Sequence, residues 1–256
     1  MNIEYPKISV VIPTCDRLDY LNQSICSVLG QTFSAFEIII IDNGINCVKK
    51  EDLPTDNKIK LIRALPKFGV SQARNTGAVL SKGDYISFLD DDDKWDSQYL
   101  EAVSNTILKE KADIILGRLL NMSDGNPLVG KQAEFKSRED LISLILKKNP
   151  GAVGSNTTVN RKVFTNSPGY NPFITTNQDK ALVLDLLLSN AKVSRADDAW
   201  VEFRMDVLGP RQTDLKKRIK GKRRFIQVYW VNMNYYTRVY NLMQLVRLWV
   251  NAKLGK

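Results

Sequence analysis

Three short apolar runs do most to limit what this chain can fold into: Ile8–Pro13 (ISVVIP), Phe36–Ile41 (FEIIII) and Tyr85–Leu89 (YISFL). They are rich in β-branched residues and almost unbroken by polar ones, which predicts strands buried on both faces. Between them run helix-period segments, with apolar positions Leu18, Leu21, Ile25, Val28 and Leu29, and then Val70–Leu80. Lys58–Arg63 adds a further strand. Strand–helix–strand alternation predicts an α/β domain around a mainly parallel sheet flanked by helices. Ligands in such sheets sit beyond the carboxyl ends of the strands. Here those ends are polar: Thr14-Cys15-Asp16-Arg17, Asp42-Asn43-Gly44 and Asp90-Asp91-Asp92-Asp93.

The chain has no histidine. That absence excludes Ser-His-Asp triads, Cys-His nucleophiles and His-ligated metals. Acid–base work must then fall to carboxylates, Lys, Tyr or Cys. Carboxylate oxygens are hard ligands, so a bound metal would be Mg2+ or Mn2+. Four consecutive aspartates in a loop can be a solvated acidic turn with one of them capping a helix. Directly after a buried strand, three acidic clusters on one sheet edge favour a divalent cation bridged to phosphates. Ser71 reads as a helix cap. Arg74, in the first turn of a helix, is poorly placed for the helix dipole unless an anion lies nearby.

The remaining segments read as helices at Gln98–Lys109, Arg138–Lys147 and Asp179–Leu188. Asp113–Leu116 and Trp200–Met205 read as strands, and Asn149–Tyr170 as strands with long loops. Arg211–Lys256 holds 12 Lys/Arg and one acid, a net +11, whereas residues 1–210 carry −2. From Phe225 the apolar spacing predicts an amphipathic helix. A basic segment followed by an aromatic amphipathic helix suits an anionic membrane surface, and a docked helix with solvated charges is the plainer alternative. No basic n-region with an apolar h-region opens the chain, and no apolar run is long enough to span a bilayer. Cys15, Cys26 and Cys47 have no CxxC spacing and are expected to be reduced, buried thiols.

ISVVIPTCDR, EIIIIDNG, FGVSQARNTG and GDYISFLDDDDKW, in this order and spacing, resemble the nucleotide-sugar-binding half of family 2 glycosyltransferases, whose fold is the Rossmann-like GT-A type. A fainter resemblance continues through Gly151–Leu188 to an acidic position opening a helix. The resemblance implies that Thr14, Asp16 and Asp42 hold the uracil and ribose of a UDP-sugar, and that Arg17, Arg74 and Asp91 line the nucleotide site. Asp90 and Asp92 would be the outer members of the D-x-D motif, with Asp92 the principal Mn2+ or Mg2+ ligand. Asp179 would be the base of an inverting transfer. Gln178 stands where the family has Glu, which leaves Asn177 and Gln178 as acceptor contacts. Asp206 stands near the place of a family His, as a further metal contact. Trp95 and Trp200 are candidates to stack on a sugar.

Three segments are expected: 1–96 for the nucleotide-sugar, 97–210 for the acceptor, and 211–256 as a basic helical tail. The implied activity is metal-dependent transfer from a UDP-sugar to a polyprenyl-diphosphate-linked saccharide in surface polysaccharide synthesis, at the cytoplasmic membrane face. Two other readings stay open on the residues alone. One is a nucleotide- or glycan-binding protein without catalysis. The other is a nucleic-acid binder acting through the tail, although no nucleic-acid reading motif is present. A dinucleotide oxidoreductase is disfavoured, because no GxGxxG follows the first strand.

Overall fold

The computed structural model describes residues 4–66, 68–128, 132–205 and 215–253. Eight strands form one sheet in the order β3-β2-β1-β4-β7-β6-β8-β5. β1 (Ile8–Thr14), β2 (Glu37–Asp42), β3 (Ile59–Arg63) and β4 (Tyr85–Phe88) pair in parallel. β7 (Thr157–Asn160) runs antiparallel between β4 and β6 (Ile114–Asn121). β8 (Val193–Phe203) returns parallel to β6, and the two-residue β5 (Lys94–Trp95) closes the edge antiparallel to it.

The unbroken apolar runs are explained by two cores, one on each face. Side chains alternate along a strand. In β1 and β2, Val10, Ile12, Ile38 and Ile40 face the layer of α1 (Leu18–Leu29) and α3 (Tyr99–Glu110). Val11, Ile39 and Ile41 face the opposite layer, with α2 (Val70–Leu80), α4 (Arg138–Lys147) and α6 (Gln178–Leu188). α2 lies very close to β1. A Cβ added at Gly77 would fall 2.3 Å from Val11 Cγ1, so only glycine permits this approach.

The short α5 (Arg161–Thr165) follows β7, with Asn160 capping it through bonds from the Lys162 and Val163 amides. The tail is two helices rather than one. The basic run lies within α7 (Leu215–Tyr229), and α8 (Tyr235–Lys253) follows a short turn. Asn234 starts α8 by accepting the Thr237 amide at 2.9 Å, as an N-cap residue should. Phe225 and Tyr229 enter the second core and anchor α7 to the body. Burying such side chains contributes about 1.5–3 kcal/mol each. No helix among the described residues is long and apolar enough to cross a membrane.

The three cysteines are exposed, contrary to the expectation of buried thiols. Cys26 shows why: the phase of α1 buries Leu21, Ile25 and Val28 and turns position 26 outward. β8 starts at Val193, seven residues before the expected strand. Its first half, VSRADD, is too polar to announce a strand.

Candidate active site

Register brings the acidic ends together. Val11 pairs with Phe88 across β1 and β4, so three residues further on Thr14 meets Asp91. The Thr14 hydroxyl donates to Asp91 Oδ2 at 2.8 Å. Thr14 also pairs with Asp42 in register on β2. Asp42 in turn pairs with Arg63 on β3, and the guanidinium donates to its carboxylate at 2.6 Å. Asp42 accepts the amides of Gly44 and Val48 as well. Asp16 accepts the amides of Ile45 and Asn46 at 3.0 and 2.7 Å. Both carboxylates therefore clamp the loop after β2.

The aspartate run is a built turn rather than a solvated one. The Ser24 hydroxyl, on the buried face of α1, lies 2.9 and 2.5 Å from the carbonyls of Asp91 and Asp93. Asp93 is buried, accepts the Ser155 hydroxyl, and takes the Arg204 amide at 2.9 Å. Arg204 also donates to the Asp92 carbonyl at 3.0 Å. Arg17 donates to Asp92 at 2.8 Å and to Asp91 at 3.3 Å. The carboxylates of Asp90, Asp92 and Asp93 offer oxygens all within 4.8 Å of one another.

Burial pushes the Asp91 carboxyl up to about 7, with Asp92 adding to the effect and Arg17 opposing it. Burial and then neighbouring aspartates also raise Asp92, and raise Asp93 well above the usual carboxylate range. Crowded carboxylates of this kind fit a divalent cation, whose charge would relieve the repulsion.

Arg74 links this turn to the second half of the sheet. It is buried, donates to Asp179 Oδ1 at 2.9 Å, and bonds Asp90 with its other terminal nitrogen. Its guanidinium lies 5.0 Å from the centre of the Tyr170 ring. Asn75 holds that ring's backbone, accepting the Tyr170 amide at 2.8 Å and donating to its carbonyl at 2.9 Å. A Cβ at Gly154 would fall 2.3 Å from Arg74 Nη2, so glycine there makes room for the ion pair. Burial opposes the Arg74 charge, but Asp90 and Asp179 more than restore it. Burial raises Asp179 to about 6, with Arg74 opposing and Asp90 adding.

Several expectations change here. Arg74 pairs with Asp90 and Asp179, so protein carboxylates supply the anions that its place in the helix calls for, while its Nε is buried without a hydrogen-bond partner among the described residues. Trp95 is 3% exposed, stacks on Tyr99 at 4.3 Å and donates to the Ser155 carbonyl. It is a core residue and is not available to an acceptor sugar. Trp200 is half-buried on β8. Gln178 is buried, while Asn177 takes a left-handed backbone (φ 61°) just before α6. Asp206 lies outside the described residues. Ser24 and Ser155 were not anticipated. Ser24 had a visible signal, a polar residue at a core phase of α1.

Residues 9–166 match the model of glycosyl transferase family 2. The chain is 30% identical to UDP-Glc:alpha-D-GlcNAc-diphosphoundecaprenol beta-1,3-glucosyltransferase WfgD of Escherichia coli, over 72% of this chain and 70% of that protein. It is 32% identical to glycosyltransferase GlyG of Streptococcus pneumoniae serotype 4, over 46% of this chain and only 42% of GlyG. Among solved structures, S. aureus TarS 1-349 in complex with UDP-GlcNAc is similar, with a TM-score of 0.68 and 14% identity, covering 94% of this chain and 72% of that one.

Proposed function

The chain belongs to glycosyl transferase family 2 and has the GT-A fold, and from that premise we propose that it transfers a sugar from a UDP-sugar to a hydroxyl of a lipid-linked saccharide, with inversion at the anomeric carbon. The observation that carries this reading is the joining of the aspartate turn to Asp179 through Arg74. A leaving-group site and a base are thereby held in one rigid assembly. The UDP-GlcNAc of the TarS complex and the lipid-linked acceptor in the name of WfgD support the donor and acceptor classes.

In this reading residues 1–96 hold the nucleotide-sugar and 97–210 the acceptor. Asp16 and Asp42 act by fixing the loop after β2 as a wall for the nucleoside, and Thr14 by orienting Asp91. Asp90, Asp92 and Asp93 would hold Mg2+ or Mn2+. When bound, that ion supplies positive charge and Lewis acidity to a departing diphosphate. Arg17 supplies a second positive charge from the same edge. Asp179 accepts the proton of the incoming hydroxyl at a carboxylate oxygen. Its raised proton affinity suits that role, and Arg74 fixes its direction. Attack opposite the leaving group needs no enzyme nucleophile.

Calorimetric titration with UDP, GDP and TDP, with Mn2+ present or chelated, tests the donor half. Metal-dependent binding of UDP that Asp92→Ala weakens by about a hundredfold or more is expected. No binding of any of the three would overturn the reading.

The tail supports a place on an anionic membrane face. α8 leaves Tyr235, Tyr236, Met243, Val246 and Trp249 more than half exposed, and α7 before it carries the basic run. Each cation near such a surface contributes about 1 kcal/mol. The 256-residue chain is expected to sediment with phosphatidylglycerol vesicles and not with phosphatidylcholine ones. Equal sedimentation with both would remove the electrostatic argument.

A further inference from the structure

A cavity of about 280 Å3 lies where α4, α6, α7 and α8 meet. Five cations line it, with Lys180 buried, Lys222 half-buried and Lys147, Lys148 and Arg218 exposed, and no carboxylate is among its lining residues. Lys180 is only 4% exposed. Its ammonium donates to the Ile145 carbonyl at 3.2 Å and lies 4.0 Å from the centre of the Phe225 ring. Lys222 donates to Asn241 at 2.5 Å. Thr176, also lining the cavity, keeps a buried hydroxyl oxygen without a hydrogen-bond partner among the described residues.

The burial of Lys180 is costly as it stands. A buried ammonium wants an opposite charge, and none of the five cations makes an ion pair within the described residues. Burial lowers Lys180 to about 7, with Lys222 adding to the effect, and burial lowers Lys222 to about 8. An anion would relieve both. The position of the cavity bears on which anion that is. Asp179 and Lys180 are neighbours in the first turn of α6. Asp179 joins the acidic site through Arg74, whereas Lys180 lines the cavity.

Resting on the glycosyl-transfer reading above, we propose that this cavity is a phosphate subsite for the acceptor, holding a phosphate or diphosphate group while the sugar hydroxyl next to it reaches Asp179. Several cations around one open cleft match a terminal diphosphate better than a single surface lysine could. The same chemistry could come from a phospholipid headgroup, and the test separates the two.

Inorganic pyrophosphate is titrated calorimetrically into the full chain with all divalent ions chelated, so that the acidic site repels it. Saturable binding is expected. Arg218→Gln, an exposed change, should weaken it about tenfold, and Lys222→Gln should weaken it further. Both variants should keep the wild-type affinity for UDP in Mn2+. Pyrophosphate binding unchanged in both variants would overturn the proposal. Loss of UDP binding by the wild-type protein would instead overturn the donor reading. Farnesyl diphosphate and dihexanoyl phosphatidylglycerol then compete against pyrophosphate. Displacement by the first alone supports the acceptor assignment, and equal displacement by the second overturns it.

Discussion

Asp179→Asn is expected to lower kcat on the order of 10³-fold, the usual weight of a positioned base, while leaving UDP affinity in Mn2+ within about twofold. The substitution keeps the shape of the side chain and removes its ability to take a proton. In the proposed function the nucleotide binds at the aspartate turn, which Arg74 separates from Asp179, so donor binding should hardly change. The pH profile makes the prediction sharper. Burial raises the Asp179 carboxyl to about 6, with the Arg74 charge opposing and Asp90 adding. A base works only when deprotonated. Turnover should therefore be flat above about pH 7 and fall close to tenfold per pH unit below about 6. The residual rate of Asp179→Asn should lack that acid limb. An Asn variant as active as wild type would remove Asp179 as the base and return the chain to the class of nucleotide binders without catalysis.

Much of this site could be read in the sequence, for a physical reason. Strands buried on both faces must be apolar almost without interruption, so their ends are sharp. Register then converts sharp ends into neighbours, as Thr14 and Asp91 illustrate. What could not be read depends on chain closure over long separations. Arg74 finds Asp179 across 105 positions, and Ser155 finds Asp93 across 62. No local pattern encodes either pairing. Trp95 differs from its sequence expectation for a related reason. Beside four aspartates it looks like a ligand contact, but Tyr99, four residues later at the start of α3, stacks on it and seals it into the core. The first half of β8 failed because a strand at this end of the sheet, paired to β6 through a bulge, tolerates polar residues on both faces. The break between α7 and α8 was legible in principle, since Asn234 is a cap residue three positions before Thr237.

Arg74→Met should strongly destabilise the chain. Removing one partner of a buried ionic network leaves its carboxylates desolvated and unpaired, which costs about 3–5 kcal/mol. For a domain of this size that corresponds to a fall in Tm of roughly 6–20 °C. Arg74 is 2% exposed, and the Asp90 and Asp179 side chains facing it are 28% and 17% exposed. Water can reach those two aspartates only in part, so it cannot replace the arginine. Arg74→Lys keeps a charge but cannot bridge both carboxylates with a rigid fork, and its loss should fall between the two. A second readout separates a site role from a purely structural one. Arg74 holds the Asp179 carboxyl down against burial and the charge of Asp90. Without it, Asp179 should bind its proton more tightly, and the acid limb of the pH–rate profile should move to higher pH in whatever Arg74→Met protein remains folded. A melting point within a degree or two of wild type would mean that the pair is dispensable. A lower melting point with an unmoved acid limb would mean that the arginine braces the fold without tuning the base.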